Sequence, residues 1–193
     1  MPRASKEQAA ATAETILAVA GDLFSTEGFA AVSLDDVATR AAVTRGAVYH
    51  HYGSKAGLFR SVVERAQAHV ADQVEAATAG VTDPWESLER GCQAFMAAST
   101  DEAVRRVLLI DGPAVIGWEE WRAQDAANSG TLLDAVLAEL ADAGLLSVPT
   151  SAAAALLNGA MNEGALWIAR SADRALALDE AWTVLQRQLR SLR

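Results

Sequence analysis

Apolar residues recur three and four positions apart along nearly the whole chain, while strict alternation of apolar and polar residues is scarce. A period of 3.6 residues lines such positions along one face of a helix, so the spacing predicts an all-α fold. The four prolines are too few and too scattered to contradict it. A first helix is predicted over 6–27, where Ile16, Val19, Ala20, Leu23 and Phe24 form one stripe, Gly28 supplies the stop, and Phe29 can fold back onto the stripe. Ser33 and Asp36 have capping-box spacing at the start of a helix of about two turns that carries Leu34, Val37, Ala38 and Ala41. Ala42 and Val43 leave only a tight connection before Thr44, which caps a third helix ending near Tyr52. Ser54 caps a fourth helix over 55–79. Further helices are predicted over 84–100, 101–110, 117–143, 151–170 and 175–192, with loops centred on Gly112 and Pro113, on 147–149 and on 171–173.

Charge narrows what such a helical chain can do. Its 193 residues carry a net charge of -9, which excludes coating nucleic acid through bulk electrostatics. Acidic and basic residues balance up to Arg60, and the acid surplus lies entirely beyond it. Cys92 is the single cysteine, so an intrachain disulfide or a thiolate zinc cage is out of reach, and a lone cysteine reads as a small buried filler. His50 and His51 have no third ligand at metal spacing, and no metal or other cofactor is expected. Glu14 and Asp22 interrupt the apolar run a secretory leader would need, and Ser147, Pro149, Thr150 and Ser151 divide the apolar stretch 143–169 below membrane-spanning length. A soluble, cytoplasmic protein without membrane attachment is the expectation. No Ser-His-Asp arrangement or phosphate-binding glycine loop is visible, so an enzyme is not expected.

Two short helices joined by a tight turn match the helix-turn-helix, whose second helix enters the major groove by its N-terminal end. On that helix Thr44, Ala47, Val48 and His51 share one side, and Arg45, Gly46, Tyr49 and His50 the other. Val48 then faces the core and Arg45 the groove. Arginine can pair with guanine through two hydrogen bonds, Gly46 permits close backbone approach, and Tyr49 and His50 can reach phosphate or a base edge. Ser33 and Lys55 stand at helix N-termini, which favour phosphate.

Over 16–59 the segments ILAVAGDLFSTEGF, VSLDDVATRAAV and TRGAVYHHYGSKAGLF resemble the TetR family of bacterial regulators. The resemblance implies an N-terminal three-helix helix-turn-helix DNA-binding domain, 1–54, and a larger C-terminal helical domain, 55–193, for ligand binding and dimerisation. It implies that Thr44, Arg45, Gly46, Tyr49, His50 and Lys55 touch DNA, that Ser33 meets a phosphate, and that Val48 and Tyr52 are core positions. It also implies that the fourth helix links the ligand pocket to the DNA-binding domain. Ala42 departs from the family, which commonly has glycine there; in a left-handed conformation alanine costs about 1–2 kcal/mol. The stretch RRVLLIDGPAVIGWEEWR, 105–122, is similar to a C-terminal pattern in some members.

In the last predicted helix Leu178, Trp182, Leu185, Leu189 and Leu192 form a heptad seam with Gln186, Arg187 and Arg190 turned away. The helix before it offers Ala153, Ala160 and Gly164 for close approach beside Leu157, Met161 and Ile168, so a four-helix bundle between two copies is expected. Pairing also meets a geometric need, because two recognition helices must sit roughly 34–36 Å apart to read a palindrome. Trp85, Phe95, Met96, Trp118, Trp121 and Trp167 are the apolar candidates for lining an effector pocket, with Asn158, Asn162 and Glu163 as polar anchors on an apolar helix. The expected protein is a homodimer that binds a palindromic double-stranded operator and releases it on binding an unknown small molecule. The alternative is a helix-turn-helix factor that anchors DNA in nucleoid organisation or cell division without answering to a ligand.

Overall fold

The computed structural model describes residues 2–193, with side chains from Lys6 onward. The described residues are helical throughout their regular structure, with no strand among them. The helices are α1 (Pro2–Glu27), α2 (Leu34–Arg40), α3 (Arg45–Tyr52), α4 (Lys55–Thr78), α5 (Pro84–Ser99), α6 (Gly112–Ile116), α7 (Trp118–Asp125), α8 (Thr131–Asp142), α9 (Thr150–Arg170) and α10 (Arg174–Arg190). Contacts group them into two compact units: one holds the chain up to Ala66 together with Glu102–Trp121, the other Gln67–Asp101 and Arg122–Arg193. Helix α4 contributes to both.

In the first unit, Ile16, Ala20, Leu23 and Phe24 of α1 are buried with Val37 of α2, Val48 of α3 and Leu58 and Phe59 of α4. Each large apolar side chain withdrawn from water contributes about 1.5–3 kcal/mol. Gly28 ends α1 at φ 88°, its N–H bonding the Phe24 carbonyl at 3.0 Å. Phe29 then turns back, and its ring centroid lies 5.9 Å from that of Phe24 and 5.0 Å from that of Phe59.

The segment Glu102–Trp121 buries Val107, Leu108, Leu109 and Trp121 and also makes polar contacts within this unit. Arg106 Nη1 donates to the Thr26 carbonyl at 2.6 Å, Asp111 Oδ2 accepts the Phe29 N–H at 2.8 Å, and Arg60 pairs with Glu120. The first bond satisfies a carbonyl that the end of α1 leaves open, and the second the N–H of the residue after Gly28. Gly28 makes room for them, since a Cβ there would stand 3.1 Å from the Arg106 guanidinium carbon and 3.3 Å from the Asp111 carboxylate.

Three expected elements differ in this region. The helix predicted over 101–110 is absent as such: turns lead into a widened π-helical turn, Arg106–Asp111. The loop expected at Gly112 and Pro113 is instead the start of α6. Pro113 lacks the N–H a continuing α-helix would bond, and the widened turn immediately precedes it. The single helix expected over 117–143 contains a second π-helical turn, Ala126–Gly130, between α7 and α8.

In the second unit, α5 packs on α8, α9 and α10, and α9 also packs on α8 and α10. Asp83 caps α5 by accepting the Trp85 N–H at 3.1 Å, and Pro84 occupies its first turn. Leu88, Met96, Leu137, Leu140, Leu157, Ala165, Ile168, Leu185 and Leu189 fill the core. The heptad seam of the last helix therefore turns largely inward. Leu185 and Leu189 are buried within the chain, as is Leu157 of α9, and Leu178 and Trp182 are half-buried. What α9 and α10 leave in solvent is a different apolar set: Leu156, Trp167, Leu176 and Val184.

Candidate nucleic-acid interface and effector cavity

The reading face starts from two helix caps. Ser33 accepts the Asp36 N–H at 3.1 Å and donates its hydroxyl to Asp36 Oδ2 at 2.6 Å, while that oxygen also accepts the Ser33 N–H at 2.8 Å. These bonds hold the Asp36 carboxyl below the usual carboxylate range, the Ser33 hydroxyl contributing most. Thr44 Oγ1 accepts the Ala47 N–H at 3.2 Å and starts α3. Between the two helices Ala42 has φ 55°, a left-handed alanine, and the turn closes through Val43 N–H to the Ala38 carbonyl at 3.0 Å. The tight connection therefore keeps its geometry without the glycine that would relieve it.

The caps and the turn fix which side of α3 is open. Val48 is fully buried, whereas Thr44, Arg45, Gly46, Tyr49 and His50 are exposed together. Tyr52 ends the helix with its hydroxyl donating to the Ala13 carbonyl at 2.7 Å, and burial raises its phenol above the ordinary value. Arg45 Nη1 lies 3.0 Å from Asp35 Oδ2. Lys55 sits at the start of α4 with its ammonium 4.3 Å from the centre of the Phe29 ring and 3.4 Å from the Ala30 carbonyl. Ser33 is exposed, but its hydroxyl is committed to the cap. The surface thus offers one guanidinium, one phenol, one imidazole and helix N-terminal N–H groups, a set suited to base edges and phosphates.

The residues expected around an effector are dispersed. Trp118 and Trp121 lie in the first unit, their rings stacked at 5.3 Å, and Trp121 Nε1 donates to the Leu108 carbonyl at 2.7 Å. Trp85 is buried under the Arg193 guanidinium, which stands 4.8 Å from its ring centre. Asn158 and Asn162 are buried around Asp125, whose Oδ2 accepts from both amides at 3.1 Å and from Arg122 at 3.2 Å; its Oδ1 accepts from Ser129 at 3.3 Å. Their polarity serves this internal network. Glu163 points to solvent, and Met96 and Trp167 border a groove with Ala160, Gly164 and Val184.

Within the second unit there is a cavity of about 160 Å³, walled by Val74, Leu88, Cys92, Phe95, Leu133 and Met161, with Thr78, Ser87, Ser129 and Glu139 as polar contacts. Of the expected pocket residues only Phe95 lines it. Cys92 is buried as expected; desolvation first, and the charge of Glu89 second, push its thiol up to about 12, so it presents a neutral S–H. Sequence reasoning missed Ser129 and Leu133 because the second π-helical turn resets which side of the helix faces inward. Among the described residues no group of acidic, histidine or cysteine side chains has metal-binding arrangement, and no helix is long and apolar enough to cross a membrane.

Two family models match the chain. Residues 16–62 match the family model described as bacterial regulatory proteins, tetR family, and residues 85–192 match the tetracyclin repressor-like C-terminal domain. A solved TetR-family transcriptional regulator from Pectobacterium atrosepticum is 31% identical and superposes with a TM-score of 0.83, over 98% of this chain and 96% of that one. The HTH-type transcriptional regulator AcrR of Shigella flexneri is 33% identical over 56% of this chain and 51% of its own length. The HTH-type transcriptional repressor BepR of Brucella suis is 34% identical over 56% of this chain and 53% of its own length. The chain thus spans about half the length of these curated relatives.

Proposed function

Because the chain belongs to the TetR family of bacterial regulators, we propose that it is a DNA-binding transcriptional repressor that releases a palindromic operator when a small molecule occupies its second unit. The observation that carries this reading is the open face of α3, where Arg45, Gly46, Tyr49 and His50 are exposed while Val48 on the opposite side is buried. A helix held this way by its Thr44 cap can enter the major groove N-terminus first. Lys55 at the start of α4 and the main chain after Ser33 at the start of α2, whose hydroxyl Asp36 holds, flank it as phosphate contacts.

On a chain of net charge -9 one such small surface is insufficient, and two copies must act together. The exposed apolar side chains Leu156, Trp167, Leu176 and Val184, with Ala160 and Gly164 between them, are the face we assign to pairing through α9 and α10. The cavity beside Cys92 and Ser129 suits a compact, mostly apolar effector with a few polar groups. Such a molecule can act only by binding the two states of the dimer with different affinity. A bacterial regulator with a DNA target works in the cytoplasm.

Footprinting of the purified protein across the genome tests the function. Protection of one or a few palindromes, relieved by a small apolar compound, is the expected result; many scattered sites without ligand response would favour the anchoring role. Arg45→Ala should weaken operator binding by about 1–3 kcal/mol, and Tyr49→Phe and Lys55→Ala should weaken binding to all DNA. Unchanged operator affinity in the Arg45 and Lys55 variants would overturn the site.

A further inference from the structure

The pairing of Arg45 with Asp35 joins the first residue of α3 to the second residue of α2 across 3.0 Å, and both side chains are more than half exposed. Asp35 gives α2 only an acid in its first turn. The cap bonds run between Ser33 and Asp36, and Asp35 takes no part in them. Nor does an ion pair this exposed add much to folding stability. Its placement should count against DNA binding, since a carboxylate beside a groove-reading arginine is repelled by phosphate. An acid at that position calls for a compensating contact, and the base edges of the major groove offer one.

We propose that Asp35 is a specificity-determining residue, and that the Asp35–Arg45 pair reads a guanine together with an adjoining cytosine in each half-site. This rests on the DNA-binding function argued above. A guanidinium has five N–H donors in a planar fork, so Arg45 can keep one Nη1 bond to Asp35 and still present a free edge to guanine O6 and N7. The carboxylate is acceptor-only. In the major groove it is matched by the cytosine N4 amino group, less well by adenine, whose N6 amino group stands beside the N7 acceptor, and opposed by guanine O6 and N7 and by thymine O4. Asp35 thus favours cytosine at its position and penalises acceptor-rich bases, while holding Arg45 in a fixed orientation. His50, exposed on the same side of α3, is the next base-facing group and lies on the later turn, so it reads a different position.

Selection from a randomised duplex library with the full-length protein tests the proposal, comparing wild type with D35N, D35E and R45A after melting curves establish that each is folded. Wild type should enrich a symmetric site with a guanine and neighbouring cytosine in each half. R45A should lose the guanine preference. D35N should lose about tenfold discrimination at the cytosine alone, keep every other preference, and bind unselected DNA more tightly. D35E, which retains the charge but displaces it, should weaken the cytosine preference without the gain on unselected DNA. An unchanged preference in D35N overturns the proposal, leaving Asp35 as an acid that merely suits a helix N-terminus. Loss of the guanine preference in D35N overturns it as well, because Asp35 would then only hold Arg45. Failure of wild type to enrich any sequence removes the regulator reading itself and this proposal with it.

Discussion

Gly57 stands against the main-chain carbonyl of Tyr52, so close that a Cβ at residue 57 would lie well under 3.0 Å from that oxygen. Tyr52 is the last residue of α3 and Gly57 the third of α4, so this approach sets how the two helices meet. Gly57→Ala should destabilise the first unit by about 1–3 kcal/mol, because backbone rather than a flexible side chain must move. A thermal melt measures the loss, and a gel shift should show weaker DNA binding even though no reading residue has changed. Wild-type melting would show that α3 and α4 can separate freely.

Ala42 predicts the opposite sign. At φ 55° an alanine is strained, and glycine relieves that strain at the expense of extra freedom in the unfolded chain. Ala42→Gly should raise stability by about 0.5–1 kcal/mol in denaturant unfolding. A destabilised variant would mean that the turn depends on the Ala42 methyl group.

Asp125 is the hub of the polar core of the second unit, accepting from Arg122, Ser129, Asn158 and Asn162. Asp125→Ala removes the acceptor of the Asn158 amide and the Ser129 hydroxyl, while Asn162 and Arg122 keep Asn158, and should lower stability by about 2–3 kcal/mol. Asn158→Leu alone should cost less, because Asn162 still reaches the carboxylate. Equal losses in chemical denaturation would show that no hub exists.

Cys92 sets a pH dependence. An unfolded thiol ionises near its ordinary 9.0, whereas the folded one does so only at about 12. The folded pKa is the raised one, so this part of stability is complete below pH 9 and declines as pH rises from there toward 12. Iodoacetamide should therefore label the native protein slowly even at about pH 10 and the denatured chain rapidly, and Cys92→Ala should lose less stability on moving from about pH 8 to about pH 10. Fast native labelling at about pH 8 would contradict the buried, neutral thiol.

The reading unit was legible in the sequence because its signals are local. Ser33 with Asp36, Thr44 with Ala47, and the burial of Val48 against the exposure of Arg45 follow from spacing and capping alone, and the structure has each. The left-handed turn was visible as Ala42 in a glycine position. The second unit was less legible for a physical reason. A helix seam tells which residues want a neighbour and not whether that neighbour is in the same chain, so Leu185 and Leu189 looked like an interface although they fill the core. Asn158 and Asn162 likewise signalled a polar demand, but its answer, Asp125, lies 33 and 37 residues away. Neither π-helical turn has a sequence signature of its own, and each shifts the inward face of the helix after it.

The contacts at the end of α1 have a consequence for synthesis. Thr26 and Phe29 are partnered by Arg106 and Asp111, 80 and 82 residues later in the chain, around a glycine that leaves space for both. A ribosome makes α1 to α3 first, yet it must also release the whole of 67–101 before those partners can arrive. The end that reads DNA thus emerges early and is completed late, so a half-made chain carries its recognition helix on an unfinished support.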